Sequence, residues 1–276
     1  MQGKLITVWS PGLHGIGTST VTDAVGFAMQ YLTNKKVLIL NQCGRLSFME
    51  RFVEKDIKIK YTMDNLKIFD TSISAEHIFT YATSINENLY MVAGSRFERD
   101  ITKEDKHFAE LLLSKCLEAF DIVVVDTNTG IREDNLPFLD KADSIIAVVT
   151  ANEIMLDDLL EASKPSHIKE YVYGGKALVV VNKLYESWNM DRELRSINKK
   201  YDFEASFGLN YNGDVFDACC RRRQFYSFMM DELAREKAAF GSQITDICDY
   251  LIERLYLSRE VERPHKRSAF MNLFTI

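Results

Sequence analysis

The segment SPGLHGIGTST, residues 10–20, carries residue types that bind a phosphate group through the protein backbone. Gly12, Gly17 and Ser19 match the phosphate-binding pattern G-x-x-x-x-G-K-[ST]. Glycines let successive backbone N–H groups point at one phosphate, and a helix that follows adds its positive end. A serine hydroxyl at this place can coordinate Mg²⁺. The segment therefore predicts a site for a nucleotide phosphate.

One position of this pattern departs from expectation, because Thr18 stands where the pattern has lysine. The lost charge-assisted contact is worth about 1.5–3 kcal/mol, which predicts affinity weakened by about one to two orders of magnitude. Hydrolysis should suffer more, because negative charge grows on the phosphoryl group in the transition state. The alternative is a glycine-rich turn that holds no ligand.

The elements that must position this loop follow from the apolar pattern. Short β-branched runs are typical of strands buried on both faces: LITVW, KVLIL, LYMVA, DIVVVD, SIIAVV and ALVVVN. Between them, helical spacing predicts helices over residues 19–33, 75–86, 103–119, 152–164, 189–200 and 229–257. This alternation predicts an α/β fold: a doubly wound, mostly parallel sheet of about seven strands with helices on both faces.

Length, charge and cysteine use narrow the class of protein. The 276 residues carry a formal net charge of -6, which argues against broad, non-specific coating of DNA. The five cysteines form no CxxC pair, which favours reduced thiols in a cytoplasmic protein. We expect no leader segment and no membrane-spanning segment. One domain over residues 1–257 and a tail over 258–276 are predicted.

The loop resembles that of the MinD/ParA family of deviant-Walker ATPases, which carry KGGxGKTT after their first strand. The resemblance implies a P-loop NTPase-like fold and a site for ATP and Mg²⁺, both weakly held or absent here. Both family lysines are missing, since Leu13 and Thr18 occupy their positions. His14, next to Leu13, is a partial substitute for the lost lysine in one interpretation; an exposed loop histidine is the simpler one. The family loop falls on Leu13, His14, Gly15, Ile16, Gly17, Thr18, Ser19 and Thr20. Gly12, which precedes it, is also assigned to the nucleotide site.

Two further stretches resemble the family's magnesium and water-activating elements. DIVVVDTNTGI resembles its Walker B strand and switch II, so Asp126 is the expected magnesium carboxylate beside Ser19. The alternative is that Asp126 only caps a strand end. KVLILNQCG holds Asn41 and Cys43 where the family has aspartates. Neither side chain is ordinarily charged at neutral pH, which again weighs against catalysis.

ALVVVNKLYES resembles the strand where the family places an asparagine against the base. Asn182 and Lys183 are accordingly assigned to the nucleotide site. Because Tyr185 stands where guanine-specific proteins carry an aspartate, adenine is the favoured base. A turn asparagine at a strand end is the alternative for Asn182. From the sequence, none of the lysines Lys35, Lys36 and Lys183 has obvious access to the phosphates.

Together these features predict a positioning or assembly factor with a degenerate nucleotide site, in effect a pseudo-ATPase with no or very weak turnover. The resemblance extends to the TadZ/CpaE branch, whose members localise pilus or secretion machinery. It implies a homodimer and a protein partner in a secretion, pilus or partitioning apparatus. A nucleotide-independent dimeric interaction protein is one alternative, and an active ParA-type partitioning ATPase is the other.

GLNYNGDVFDACCRRRQFY resembles the family segment that follows the last main strand, and it contains the only dense basic cluster, Arg221–Arg223. ParA-like proteins hold DNA through surface basic residues. The net negative charge instead favours a solvated helix end or a docking point for an acidic partner, so DNA is not an expected ligand.

The tail RPHKRSAFMNLFTI combines basic and apolar residues. Apolar side chains at helical spacing after a basic collar suit a short helix in a membrane interface, and MinD ends in a similar way. The protein would then lie on the inner face of the cell membrane. The alternative is a tail packed on its own domain or a neighbour. The candidate membrane or partner residues are Lys266, Arg267, Phe270, Met271, Leu273 and Phe274.

Deleting residues 264–276 is expected to abolish pelleting of the protein with anionic liposomes. The deletion removes the apolar side chains and part of the basic collar that would bind the interface. A short segment of this kind binds weakly alone, so pelleting should require a dimer or a partner. Unchanged pelleting of the deletion variant, or none of the intact chain, would remove the membrane hypothesis.

Overall fold

The computed structural model describes residues 2–12, 14–42, 49–96, 103–160, 167–185, 189–235 and 238–261. This part contains one eight-stranded sheet in the order β3-β4-β2-β5-β1-β6-β7-β8, parallel except at the β3–β4 edge. The predicted fold class is confirmed. The strands are β1 (Lys4–Trp9), β2 (Val37–Asn41), β3 (Thr83–Ser84), β4 (Leu89–Val92), β5 (Ile122–Asp126), β6 (Ser144–Thr150), β7 (Ala177–Leu184) and β8 (Ser206–Asn210).

Helices connect these strands, and a six-residue π-helical segment, Asp217–Arg222, follows α10. The single helix predicted over 229–257 is wrong, because the chain forms two helices there, α11 and α12. The helices are α1 (Thr18–Thr33), α2 (Met49–Phe52), α3 (Met63–Lys67), α4 (Ala75–Tyr81), α5 (Lys103–Ala119), α6 (Leu136–Asp140), α7 (Glu153–Leu160), α8 (His167–Tyr173), α9 (Met190–Tyr201), α10 (Gly213–Phe216), α11 (Phe225–Ala234) and α12 (Ala239–Arg254).

The sheet is buried on both faces, which explains the unbroken apolar runs in the sequence. Successive side chains of β1 enter different cores: Ile6 and Val8 pack on one side, and Leu5 and Trp9 on the other. The first core contains α1, α11 and α12, and the second contains α5. The sheet therefore lies between two helical layers.

Helix α1 lies directly on the sheet beside β2. A Cβ atom built on Gly26 would stand 2.5 Å from Ile39 Cγ1, so this close approach requires glycine. The other flank of α1 packs against α11 and α12. This packing fixes the direction of the helix, and therefore the direction of its N-terminal N–H groups.

The described chain ends against the last turn of α1. The backbone N–H of Glu260 donates to the carbonyl of Leu32 at 2.8 Å. This contact lies at the opposite end of α1 from the glycine loop. The six candidate tail residues, 266–274, lie outside the described residues.

Two predictions from composition can be compared with the described residues. Cys116, Cys219, Cys220 and Cys248 are free thiols there. None of the helices in the described ranges combines the length and apolarity needed to cross a bilayer.

Candidate nucleotide-binding site

The glycine loop joins the carboxyl end of β1 to the N-terminus of α1. Gly15 and Gly17 both have left-handed backbones, with φ of 74° and 95°, which glycine adopts without strain. Gly17 is the N-cap of α1, so the free N–H groups of the first helical turn face the loop. This geometry is a backbone cradle for an anion, as the sequence pattern predicts. Leu13 lies outside the described residues.

Two residues at the end of β7 hold the loop from one side. Asn182 Nδ2 donates to the carbonyl of Ile16 at 2.7 Å, and Lys183 Nζ donates to the carbonyl of Gly15 at 2.6 Å. A Cβ atom on Gly17 would lie 2.4 Å from Asn182 Nδ2. The structure therefore brings together the loop and the strand end that the sequence analysis assigned to one site.

The predicted magnesium pair is in direct contact. Ser19 Oγ donates to Asp126 Oδ2 at 2.6 Å, and Thr22 Oγ1 lies 3.4 Å from Asp126 Oδ1. Asp126 ends β5, where its side chain is almost fully buried. A hydroxyl and a carboxylate are oxygen donors of the kind that Mg²⁺ prefers, so these residues fit that ion.

The end of β2 carries an acidic neighbour that the sequence analysis did not identify. Asn41 pairs in register with Asp126, and Asn41 Nδ2 donates to Glu50 Oε2 at 3.0 Å. Burial raises the pKa of Glu50. Glu50 lies in the first turn of the short helix α2, and no periodicity in so short a helix signals this contact. Residues 43–48, which include Cys43, lie outside the described residues.

A second acidic group lies in α1 below the loop. Asp23 is fully buried, and within the described part of the chain both its carboxyl oxygens lack a hydrogen-bond partner. Burial, followed by the charges of Asp126 and Glu50, raises the pKa of Asp23 well above its ordinary value. Burial therefore favours the neutral, protonated form of the Asp23 carboxyl.

The turn after β5 is fixed by amide hydrogen bonds. Asn128 donates through Nδ2 to Asp134 Oδ2 at 2.8 Å. Asn135 Nδ2 donates to the carbonyl of Asn128 at 2.7 Å, and Trp9 Nε1 donates to the carbonyl of Gly130 at 2.8 Å. These hydrogen bonds order the turn that follows Asp126.

The loop opens on a cavity of about 710 Å³, a size that suits a nucleotide. His14 lies at its rim, exposed, with Nδ1 3.2 Å from Thr129 Oγ1. Most of the far wall comes from the stretch GLNYNGDVF, which no sequence pattern assigned to the site. That wall is mainly apolar and includes Leu209, Tyr211, Val215, Phe216, Cys219 and Phe240.

The basic triplet is engaged with the protein itself. Arg221 and Arg222 form ion pairs with Asp217, one turn earlier in the π-helical segment. Arg223 Nε donates to the carbonyl of Arg51 at 3.0 Å. These contacts suit the interpretation of the basic triplet as a helix end. That DNA is not a ligand stays a prediction.

No family model matches the chain, and no curated protein matches it. Solved structures do match. A ParA family ATPase from Chlorobium tepidum is 15% identical, with a TM-score of 0.69, over 90% of this chain and 99% of that one.

Two other solved structures are similar to the chain. A putative plasmid partition protein of Borrelia burgdorferi bound to AMPPNP is 17% identical, with a TM-score of 0.66, over 91% of this chain and 100% of that one. A protein of the MinC:MinD cell division complex of Aquifex aeolicus is 17% identical, with a TM-score of 0.65, over 94% of this chain and 98% of that one. The chain therefore has the fold of the MinD and ParA ATPases.

Proposed function

We propose that the chain is a cytoplasmic positioning or assembly factor of the MinD/ParA type that binds ATP and Mg²⁺ weakly and hydrolyses ATP little or not at all. It acts through a homodimer that docks on a protein partner or a membrane surface. The TadZ/CpaE branch, with its atypical loops, is the nearest functional model.

The observation that carries this proposal is the hydrogen bond of Ser19 to Asp126 at the mouth of the glycine loop. It supports the proposal because a hydroxyl and a carboxylate, oxygen donors that suit Mg²⁺, lie beside the backbone N–H groups that would hold a phosphate. When bound, Mg²⁺ would offset the negative charge of the phosphates. Ser19 would contribute its hydroxyl oxygen, and Asp126 would accept hydrogen bonds from water in the ion's shell.

The same site lacks the charges that assist cleavage. Thr18 cannot stabilise charge that develops on the transferred phosphoryl group, and the neutral amide of Asn41 cannot accept a proton from water. Asn41 also uses one of its N–H groups on Glu50. Binding by the backbone survives these losses, whereas catalysis depends on the missing groups.

The similar structures support the positioning role. One is a plasmid partition protein that holds a nucleotide analogue, and another is MinD assembled with MinC. Exposed aromatic side chains, Tyr185 and Tyr211, follow the ends of β7 and β8 beside the loop. A surface of this kind suits contact with a second protein.

Calorimetry with ATP, ADP and Mg²⁺ tests the proposal, together with a sensitive phosphate-release assay. We expect weak Mg-ATP binding, no turnover above background, and about ten- to hundredfold tighter ATP binding by Thr18→Lys. The substitution returns the one charge-assisted contact that the loop lacks. Thr80→Lys is the matched control, because it adds the same charge on an exposed face of α4.

Two outcomes contradict the proposal. If neither the natural chain nor Thr18→Lys binds any nucleotide, the chain is a nucleotide-independent interaction protein. If the natural chain turns over ATP as fast as ordinary partitioning ATPases, it is an active enzyme of that type. Equal ATP affinities for Thr18→Lys and Thr80→Lys would show that the loop does not hold the phosphates.

A further inference from the structure

The backbone at Lys183 takes a conformation that lysine rarely adopts inside a strand. Its φ is 59°, in the left-handed region, and the pairing of β7 with β8 shifts register between Val181 and Leu184. Asn182 Oδ1 accepts a hydrogen bond from the Lys183 N–H at 2.8 Å, which closes this local turn. Such a conformation costs free energy and persists only where its surroundings enforce it.

The consequence of this turn is the position of the Lys183 side chain. It crosses from β7 to the glycine loop, where Nζ donates to the carbonyl of Gly15. An ammonium group has three N–H donors, and this contact uses one of them. The side chain is exposed and lines the cavity, so the other two donors are available to a ligand there.

The charge of Lys183 is not neutralised by the protein. In the described ranges no carboxylate forms an ion pair with its Nζ, whose only hydrogen bond there is to Gly15. Among the described residues that line the cavity, Lys183 is the one with a full positive charge at neutral pH. The carboxylate of Asp126 also lines the cavity.

We propose that Lys183 supplies, from β7, part of the positive charge that Thr18 cannot supply from the loop, and that its ammonium group binds the phosphates of the nucleotide. This inference rests on the proposed function, since it needs a nucleotide in the cavity. It assigns to Lys183 a role that spacing in the sequence did not indicate, because the lysine reaches the loop only through the left-handed turn.

Affinities for ATP, ADP and adenosine, measured by calorimetry on four variants, test this inference. We expect Lys183→Met and Lys183→Gln to bind ATP about ten- to hundredfold more weakly, with a smaller loss for ADP and none for adenosine. Lys183→Arg should stay within about tenfold of the natural chain, because it keeps the charge. Lys199→Met, on the exposed face of α9, is the matched control.

The glutamine variant separates charge from support of the loop. Glutamine keeps an N–H donor for the Gly15 carbonyl but carries no charge, so natural ATP affinity in Lys183→Gln would overturn the inference. An equal loss for adenosine would overturn it as well. Adding Thr18→Lys to Lys183→Met should restore ATP binding, and absence of rescue would show that the two positions do not serve the same charge.

Failure of this inference differs from failure of the proposed function. If the natural chain binds ATP and every Lys183 variant binds it equally well, only the role of Lys183 is rejected. If the natural chain binds no nucleotide, the proposed function is rejected with it. Melting temperatures of the variants complete the test, and we expect them to match the natural chain because the Lys183 side chain is exposed.

Discussion

Replacing Gly17 by alanine is expected to abolish nucleotide binding and to lower the free energy of unfolding by about 1–3 kcal/mol. Gly17 has φ of 95°, which disfavours any residue with a Cβ atom. The added Cβ would also lie 2.4 Å from Asn182 Nδ2, the donor that holds the Ile16 carbonyl. Alanine therefore displaces Asn182 and opens the loop. Calorimetry with Mg-ATP and urea denaturation measure the two effects.

Gly213→Ala is the matched control for this prediction. Gly213 begins α10, and a Cβ atom there would meet nothing within 4 Å. The unfolding free energy of the Gly213→Ala variant should differ from that of the natural chain by less than about 0.5 kcal/mol, and its nucleotide affinity should be unchanged. If Gly17→Ala bound ATP like the natural chain, the glycine loop would not be the phosphate cradle.

Replacing Asp23 by asparagine is expected to stabilise the protein by about 1–3 kcal/mol at neutral pH. Asp23 is fully buried, and its two carboxyl oxygens have no hydrogen-bond partner in the described part of the chain. Asparagine keeps the shape of the side chain and removes the cost of burying an acid. Urea denaturation at several pH values measures the difference in unfolding free energy.

The pH dependence of this difference has a definite sign. Burial raises the pKa of Asp23, so the folded state holds its proton at pH values where the unfolded chain has released it. The natural chain therefore loses stability as pH rises from the ordinary aspartate pKa, about 3.9, toward the raised value. The advantage of Asp23→Asn should grow over that interval and be small in acid.

Asp56→Asn provides the control for the loss of one negative charge. Asp56 is exposed, so this substitution should change the unfolding free energy by less than about 0.5 kcal/mol. A constant difference between Asp23→Asn and the natural chain at every pH would contradict the assignment of a raised pKa to Asp23. So would a less stable Asp23→Asn variant.

The sequence was sufficient for six of the eight strands and for one side of the site. Apolar runs and helical spacing predicted α5 at its observed bounds and α1 to within one residue. The resemblance of their stretches to family motifs had already assigned Ser19, Asp126 and Asn182 to one nucleotide site. The structure brings all three to the glycine loop.

Features that depend on backbone detail were beyond the sequence. Helical spacing continues through residues 225–254 without proline, yet α11 ends at Ala234. There Gly241, in α12, approaches the backbone of Glu232 and donates to its carboxylate. A tertiary contact of this kind has no local signal. The same holds for the left-handed turn that carries Lys183 to the loop.

The contact of Glu260 with Leu32 holds the last described residues at the C-terminal end of α1. Helix α1 has 16 residues and so spans about 24 Å, with the phosphate cradle at one end and the departing chain at the other. The last described residues therefore lie about one helix length from the phosphate cradle. A protein bound beside Leu32 and Glu260 would leave the cavity open to a second protein.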